Sequence, residues 1–138
     1  MEKIQLYIGG AWRDAGTAEV IAVINPVNEQ IIGQIGKASD ADIEDAAQSA
    51  AEGFAKWKAV PAIERAAILH KAAGLMRERA EAIARQLTIE HGKPIGEARA
   101  EVGATADTID GNAQEARRTY GRVIPGRAAG VHQFTVME

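Results

Sequence analysis

The spacing of apolar positions changes character twice along the chain. Ile4, Leu6 and Ile8 alternate with Gln5 and Tyr7, the period of two expected of a half-buried strand. Gly9-Gly10 is a turn signal, and Ala11-Trp12-Arg13 reads as the return strand. Val20 to Ile24 is a β-branched run that Asn25-Pro26 stops, because proline cannot donate to a ladder and restricts the residue before it. A turn over Val27–Gln30 leads to a further strand from Ile31 to Ile35. Residues 1–36 therefore predict two small hairpins, too few strands to stand alone in water.

From Ser39 the period becomes helical. Ser39 and Asp42 have the spacing of a capping box, with Asp in place of the usual Glu. Asp40, Asp42, Glu44 and Asp45 crowd the first turns, where negative charge meets the positive end of the helix dipole, so no acid–base pair or metal is needed to explain them. Ile43, Ala46, Ala47, Ala50, Phe54 and Trp57 share one face, which the pattern marks as buried. Pro61 starts the next helix, with Ala66, Leu69, Ala72, Ala73 and Met76 on one side. A separate series, Ile83, Ala84 and Leu87, follows Arg79, which predicts a break there and two helices instead of one.

The junction Glu90-His91-Gly92-Lys93-Pro94 organises the rest. Gly92 suits the left-handed position past a helix end, and Pro94 suits the start of the next helix. Lys93 falls where it could hydrogen-bond the last free carbonyls. Beyond it, Ile95, Ala98, Val102, Ala106, Ile109, Ala113, Ala116 and Tyr120 form a stripe in steps of three and four, with Gly121 as the closing residue. Asp110-Gly111-Asn112 has the composition of a turn and predicts a kink. Arg122–Gly130 reads as an irregular connector, and residues 131–138 as a strand with no partner in the chain. The fold class is α+β, mainly helical: N-terminal β-hairpins, three to four helices over 39–121, and a C-terminal strand.

Composition narrows this picture. Apolar residues make up 46% but aromatics only 4%, and most of the helical stripes are alanine, so each helix gains little by burial and needs a larger body to lean on. A net charge of −3 with no basic stripe excludes a nucleic-acid partner. The absence of cysteine excludes disulfides, thiolate metal sites and a Cys nucleophile within the chain. No apolar run is long enough for a membrane span and no signal-peptide h-region follows Lys3, so a cytoplasmic setting is expected. The junction lacks the GxxxxGK[ST] of a P-loop, and GxGxxG, GxSxG and HExxH are also missing. His70, His91 and His132 are far apart, without ligand-spaced neighbours. No catalytic, cofactor-binding or metal-ligating residue is therefore assigned.

The motifs taken in order resemble the opening of the aldehyde dehydrogenase superfamily. They are Tyr7-Ile8-Gly9-Gly10-Ala11-Trp12, Ile24-Asn25-Pro26 with Glu29-Gln30-Ile31-Ile32, Phe54 and Trp57, Glu64-Arg65-Ala66 with Ile68-Leu69, Leu87 to Pro94, Glu97 to Val102, and Tyr120 to Pro125. The look is that of the succinate-semialdehyde dehydrogenase group. The resemblance implies a parent enzyme in which a Cys thiolate attacks the aldehyde carbon, an Asn and a backbone N–H hold the oxyanion, hydride passes to NAD or NADP, and a Glu activates water. None of those motifs lies within residues 1–138, so no catalytic residue is carried over. It also implies that residues 1–130 belong to the N-terminal part of a cofactor-binding domain and that 131–138 begin an oligomerisation arm. The partners it implies are the remainder of such a chain or another copy of this one, in a homo-oligomer. Gly111 stands where relatives commonly carry an aromatic, a change expected to leave a gap. The alternative from another class is a free-standing helical interaction module without activity.

Overall fold

The computed structural model describes residues 3–136. Five strands come first: β1 (Lys3–Ile4), β2 (Leu6–Ile8), β3 (Ala11–Arg13), β4 (Val20–Ile24) and β5 (Ile31–Gly36). Four helices follow, α1 (Asp40–Ala59), α2 (Ala62–Glu78), α3 (Ala80–His91) and α4 (Ile95–Ala116), and then β6 (Val123–Pro125) and β7 (His132–Phe134). The α+β, mainly helical class holds.

Both expected hairpins form. β2 and β3 pair antiparallel across Gly9-Gly10, with Tyr7 opposite Trp12 and their rings 4.9 Å apart. β4 and β5 pair antiparallel with an irregularity at Val23/Ile24, and the short β1 adds parallel to β5 to give the order β1-β5-β4. The β4–β5 turn closes locally: Val27 N–H donates to Asn25 Oδ1 and Glu29 N–H to the Asn25 carbonyl.

The helical layer is α2, α3 and α4. Its buried apolar residues are Ala66 and Ala73 on α2, Ala84 on α3, and Ala98, Val102, Ala106 and Ala113 on α4. Ala84, Ala98 and Val102 form the centre, with Met76, Ala80, Ile83, Leu87 and Ile95 packed against it. Small side chains let helix backbones approach closely, but each brings little apolar area out of water. The break at Arg79 is real: its N–H donates to the Leu75 and Arg77 carbonyls, and α3 starts at the next residue.

The corner at residues 91–94 has the expected backbone. Gly92 lies at φ 74° and donates its N–H to the Thr88 carbonyl. It also has no room for a side chain, because a Cβ would fall 2.9 Å from Pro26 Cγ and 3.4 Å from Val27 Cγ2. The corner thus locks onto the β4–β5 turn. Pro94 is the N-cap of α4, which begins at Ile95, one residue later than expected. Lys93 does not cap the α3 carbonyls: its ammonium pairs with the Glu101 carboxylate, a full charge partner instead of a partial one.

Four expectations are corrected. The apolar face of α1 is not buried within this chain: Ile43 is 59% exposed, Phe54 64% and Trp57 39%. Amphipathic spacing specifies that a face wants cover, and no other element among the described residues supplies it. Second, α4 ends at Ala116, before Tyr120, so Gly121 is not its closing residue. Gly121 is instead required by close approach, since a Cβ there would lie 1.7 Å from the Thr135 carbonyl oxygen. Third, the last strand is not unpaired. β7 pairs antiparallel with β6, which forms inside the stretch expected to be irregular, and residues 137–138 lie outside the described residues. Fourth, α4 is continuous through Gly111, with no break at the expected turn, and an added Cβ there would meet open space. Helical hydrogen bonds on both sides outweigh the local turn preference of Asp110-Gly111-Asn112.

Candidate functional site

Three polar clusters and one cavity could carry chemistry. The first sits where α1 begins. The Ser39–Asp42 capping box forms as expected: Asp42 N–H donates to Ser39 Oγ, while Ser39 N–H and the Ser39 hydroxyl each donate to Asp42 Oδ2 at 2.8 Å. Gly16 N–H adds a further bond at 2.8 Å to the same oxygen, and Arg13 Nη2 donates to Asp42 Oδ1 at 3.1 Å and Asp45 Oδ2 at 2.9 Å. Asp42 is buried. Donation from Ser39 and Gly16, helped by the Arg13 charge, holds its carboxyl down at about 2. A carboxylate so fully used cannot act as a base near neutral pH. The cluster ties β3 and the following loop to α1, a long-range link with no signal in the local pattern.

The second cluster joins α3 to α4. Arg99 donates from Nε and Nη2 to the two oxygens of Glu81 at 2.8 and 2.9 Å, and Arg85 adds a bond at 3.1 Å from one turn along. The fork geometry of Arg99 holds the Glu81 carboxyl down at about 2. The third joins α2 to α4. His70 Nδ1–H donates to Asp110 Oδ1 at 2.7 Å, and Arg77 spans Asp107 at 2.8 Å and Asp110 at 2.7 Å. The His70 and Arg77 bonds hold the Asp110 carboxyl below its ordinary value. Sequence reading missed this pair because 40 residues separate His70 from Asp110 and only the packing of α2 on α4 joins them. The structure does not bring the three histidines together. His91 and His132 are exposed, and among the described residues no group of three or more His, Cys, Asp or Glu could hold a metal ion.

A cavity of about 130 Å³ between the β1-β5-β4 sheet and α3 is lined by Ile4, Val23, Ile32, Gly33, Gln86 and Glu90. Its one carboxylate, Glu90, already accepts from Gln86 Nε2, so it presents no acid–base pair. A pyrophosphate needs free N–H groups at a helix start. The start of α1 is filled by the chain's own Asp42, whereas α2, α3 and α4 carry no side-chain cap and hold Glu64, Glu81 and Glu97 in their first turns, where a carboxylate opposes a phosphate. Among the described residues no helix is long and apolar enough to cross a membrane.

What the geometry presents is a braced helical scaffold, and comparison with known proteins says of what kind. Residues 12–138 match the aldehyde dehydrogenase family. The chain is 42% identical over 123 residues to the 4-(hydroxymethyl)benzenesulfonate dehydrogenase of Comamonas testosteroni, covering 89% of this chain and 26% of that one. It is 38% identical over 125 residues to the NADP-dependent succinate-semialdehyde dehydrogenase of Escherichia coli K12, covering 91% of this chain and 26% of that one. A solved aldehyde dehydrogenase from Brucella melitensis biovar abortus 2308 superposes with a TM-score of 0.91 at 38% identity, over 96% of this chain and 27% of that chain. The chain belongs to the aldehyde dehydrogenase family. It spans about a quarter of the length of the curated relatives it matches.

Proposed function

We propose that this chain is the N-terminal structural part of an NAD(P)-dependent dehydrogenase that oxidises an aldehyde to a carboxylic acid, and that it is not catalytically competent alone. The observation that carries this reading is a family match over residues 12–138 in a chain with no cysteine, hence no thiolate for the family's attack on the aldehyde carbon. Its own residues do scaffold work. Asp42 fastens the N-terminal hairpin to α1, Glu81 and Asp110 fasten α3 and α2 to α4, and Gly92 fastens the helical corner to the sheet. The nucleophile, the oxyanion donors and the nucleotide site belong to the remainder of the dehydrogenase, and the working form is a homo-oligomer.

The substrate class we propose is an aldehyde with a terminal anionic group, succinate semialdehyde being the leading member. Two relatives support this: one is named for a sulfonate-bearing substrate and the other for succinate semialdehyde. The test is to express the reading frame continuous with the Glu138 codon beside the 138-residue chain. Nicotinamide reduction is then followed with succinate semialdehyde and with an uncharged aldehyde of equal length. Turnover by the continuous product, faster with the anionic aldehyde, and none by the short chain are expected. Turnover by the short chain itself, or a continuous frame that adds no active dehydrogenase, overturns the reading.

A further inference from the structure

Past the end of α4 the charge pattern changes. Arg117, Arg118, Arg122 and Arg127 fall in a stretch, 116–137, that holds no Asp or Glu, although the whole chain carries −3. Arg117 and Arg118 line an open cleft of about 360 Å³ together with Gln114, from the last turn of α4, and His70, from α2. No carboxylate lines it. Among the described residues the Arg117 guanidinium and the Gln114 amide have no partner. Arg118 gives one nitrogen to Glu115 at 3.1 Å, an exposed pair that holds it weakly. Arg85 and Arg99, by contrast, are committed to Glu81.

Two features that would repel an anion are neutralised here. Asp110, beside His70, has both oxygens engaged, one by His70 Nδ1 and the other by Arg77. That bond also fixes the imidazole and leaves Nε2 as its free nitrogen. The carbonyl end of a helix is negative, but the last carbonyls of α4 are already filled. Those of Gln114 and Glu115 accept from the Arg117 and Arg118 N–H groups, and that of Ala116 from the Thr119 hydroxyl. The arginine side chains are therefore not needed as caps. We propose that His70, Gln114, Arg117 and Arg118 form a site for a dianionic phosphoryl group, as free phosphate or on a small phosphate ester. Two guanidinium forks and an amide supply the donors such a group takes up, and a charge of two on the ligand matches the two arginines.

The test titrates the 138-residue chain with sodium phosphate and with glycerol 3-phosphate, at constant pH and ionic strength, and follows the His70 ring resonances by NMR. Sodium chloride is the monovalent comparison. Both phosphates should give a saturable shift with a Kd of about 1 mM or below, and chloride none. Arg117→Ala and Arg118→Ala should each weaken binding about tenfold. Arg127→Ala, in the same acid-free stretch but outside the cleft, should leave it unchanged. All three side chains are exposed, so the variants should keep the helicity of the unaltered chain, which circular dichroism checks. Tighter binding of glycerol 3-phosphate assigns the site to an ester and tighter binding of phosphate to the free ion, and either upholds it. A shift that does not saturate, an equal response to chloride, or an equal loss in Arg127→Ala overturns it and leaves the proposed function standing.

Discussion

The α2–α4 layer and the α1 helix were built from the same materials and ended differently. Both are alanine-rich, both carry helical apolar stripes, and both are braced by buried or half-buried carboxylates. In the layer the stripes face each other, and the seven apolar residues that are buried among the described ones, Ala66, Ala73, Ala84, Ala98, Val102, Ala106 and Ala113, lie there. On α1 the only buried residue is Asp42, a polar one, held by the loop before it. β6 and β7 belong with α1 in this respect, since Val123 is 87% exposed and Phe134 71%. Amphipathicity is thus a statement about what a segment needs, and tertiary structure decides whether the same chain provides it. A shared brace does not make a shared core.

The contrast is sharpest under one substitution made twice. Ala106→Glu puts a charge into the α2–α4 contact without a partner, and should cost about 3–5 kcal/mol, enough to abolish the cooperative melt of a small domain. Phe54→Glu on α1 should move the melt of the isolated chain by less than about 0.5 kcal/mol, because that ring is already in water. Equal effects at the two sites in thermal melts would erase the distinction.

Gly121→Ala comes next in size. Its Cβ would collide with the Thr135 carbonyl, opening β6–β7 while leaving the helical layer intact. Amide exchange at Thr135, whose N–H donates to the Arg122 carbonyl, should rise about tenfold or more while exchange in α4 stays the same.

Acid should then loosen both regions, each through its own carboxyl. Asp42 and Glu81 are held at about 2 in the folded chain, against ordinary values of 3.8 and 4.5. A folded value below the unfolded one means stability that is fully present above the ordinary value and is lost as pH falls toward about 2. Melting temperature should therefore decline from roughly pH 4.5 downward. Asp42→Asn and Glu81→Gln should each flatten part of that limb, seen by melts across the acid range. Smallest of all, Arg118→Ala removes a solvent-exposed pair with Glu115 and should change stability by less than about 0.5 kcal/mol.

Much of the backbone was legible because single residues impose it. Gly92 announces a left-handed corner, Asn25-Pro26 ends a strand, and Ser39 with Asp42 opens a helix, each through local sterics or a bond spanning a few residues. The break at Arg79 was legible because the charged run Arg77-Glu78-Arg79 separates two apolar series. The misreadings share a different cause. β6 is three residues long and leaves no period to detect, and Tyr120 continued a stripe whose helix had already ended at Ala116. The bonds from Arg13 to Asp42 and from His70 to Asp110 cross 29 and 40 residues, so only the assembled fold creates them. For the candidate site, residue types alone carried the chemistry: the missing thiol is visible in the sequence, whereas the bonds that Arg13 and Gly16 add to Asp42 are visible only in three dimensions.

The small interior of the helical layer has a practical consequence for anyone who sets out to map this protein by mutation. Six of its seven hidden apolar positions are already alanine, all but Val102. A conventional truncation survey would pass over the residues on which interhelix spacing depends and report a nearly featureless landscape. Here the informative direction is enlargement: adding a methylene group at a time, until the helices can no longer close, would trace the seam that removal cannot find.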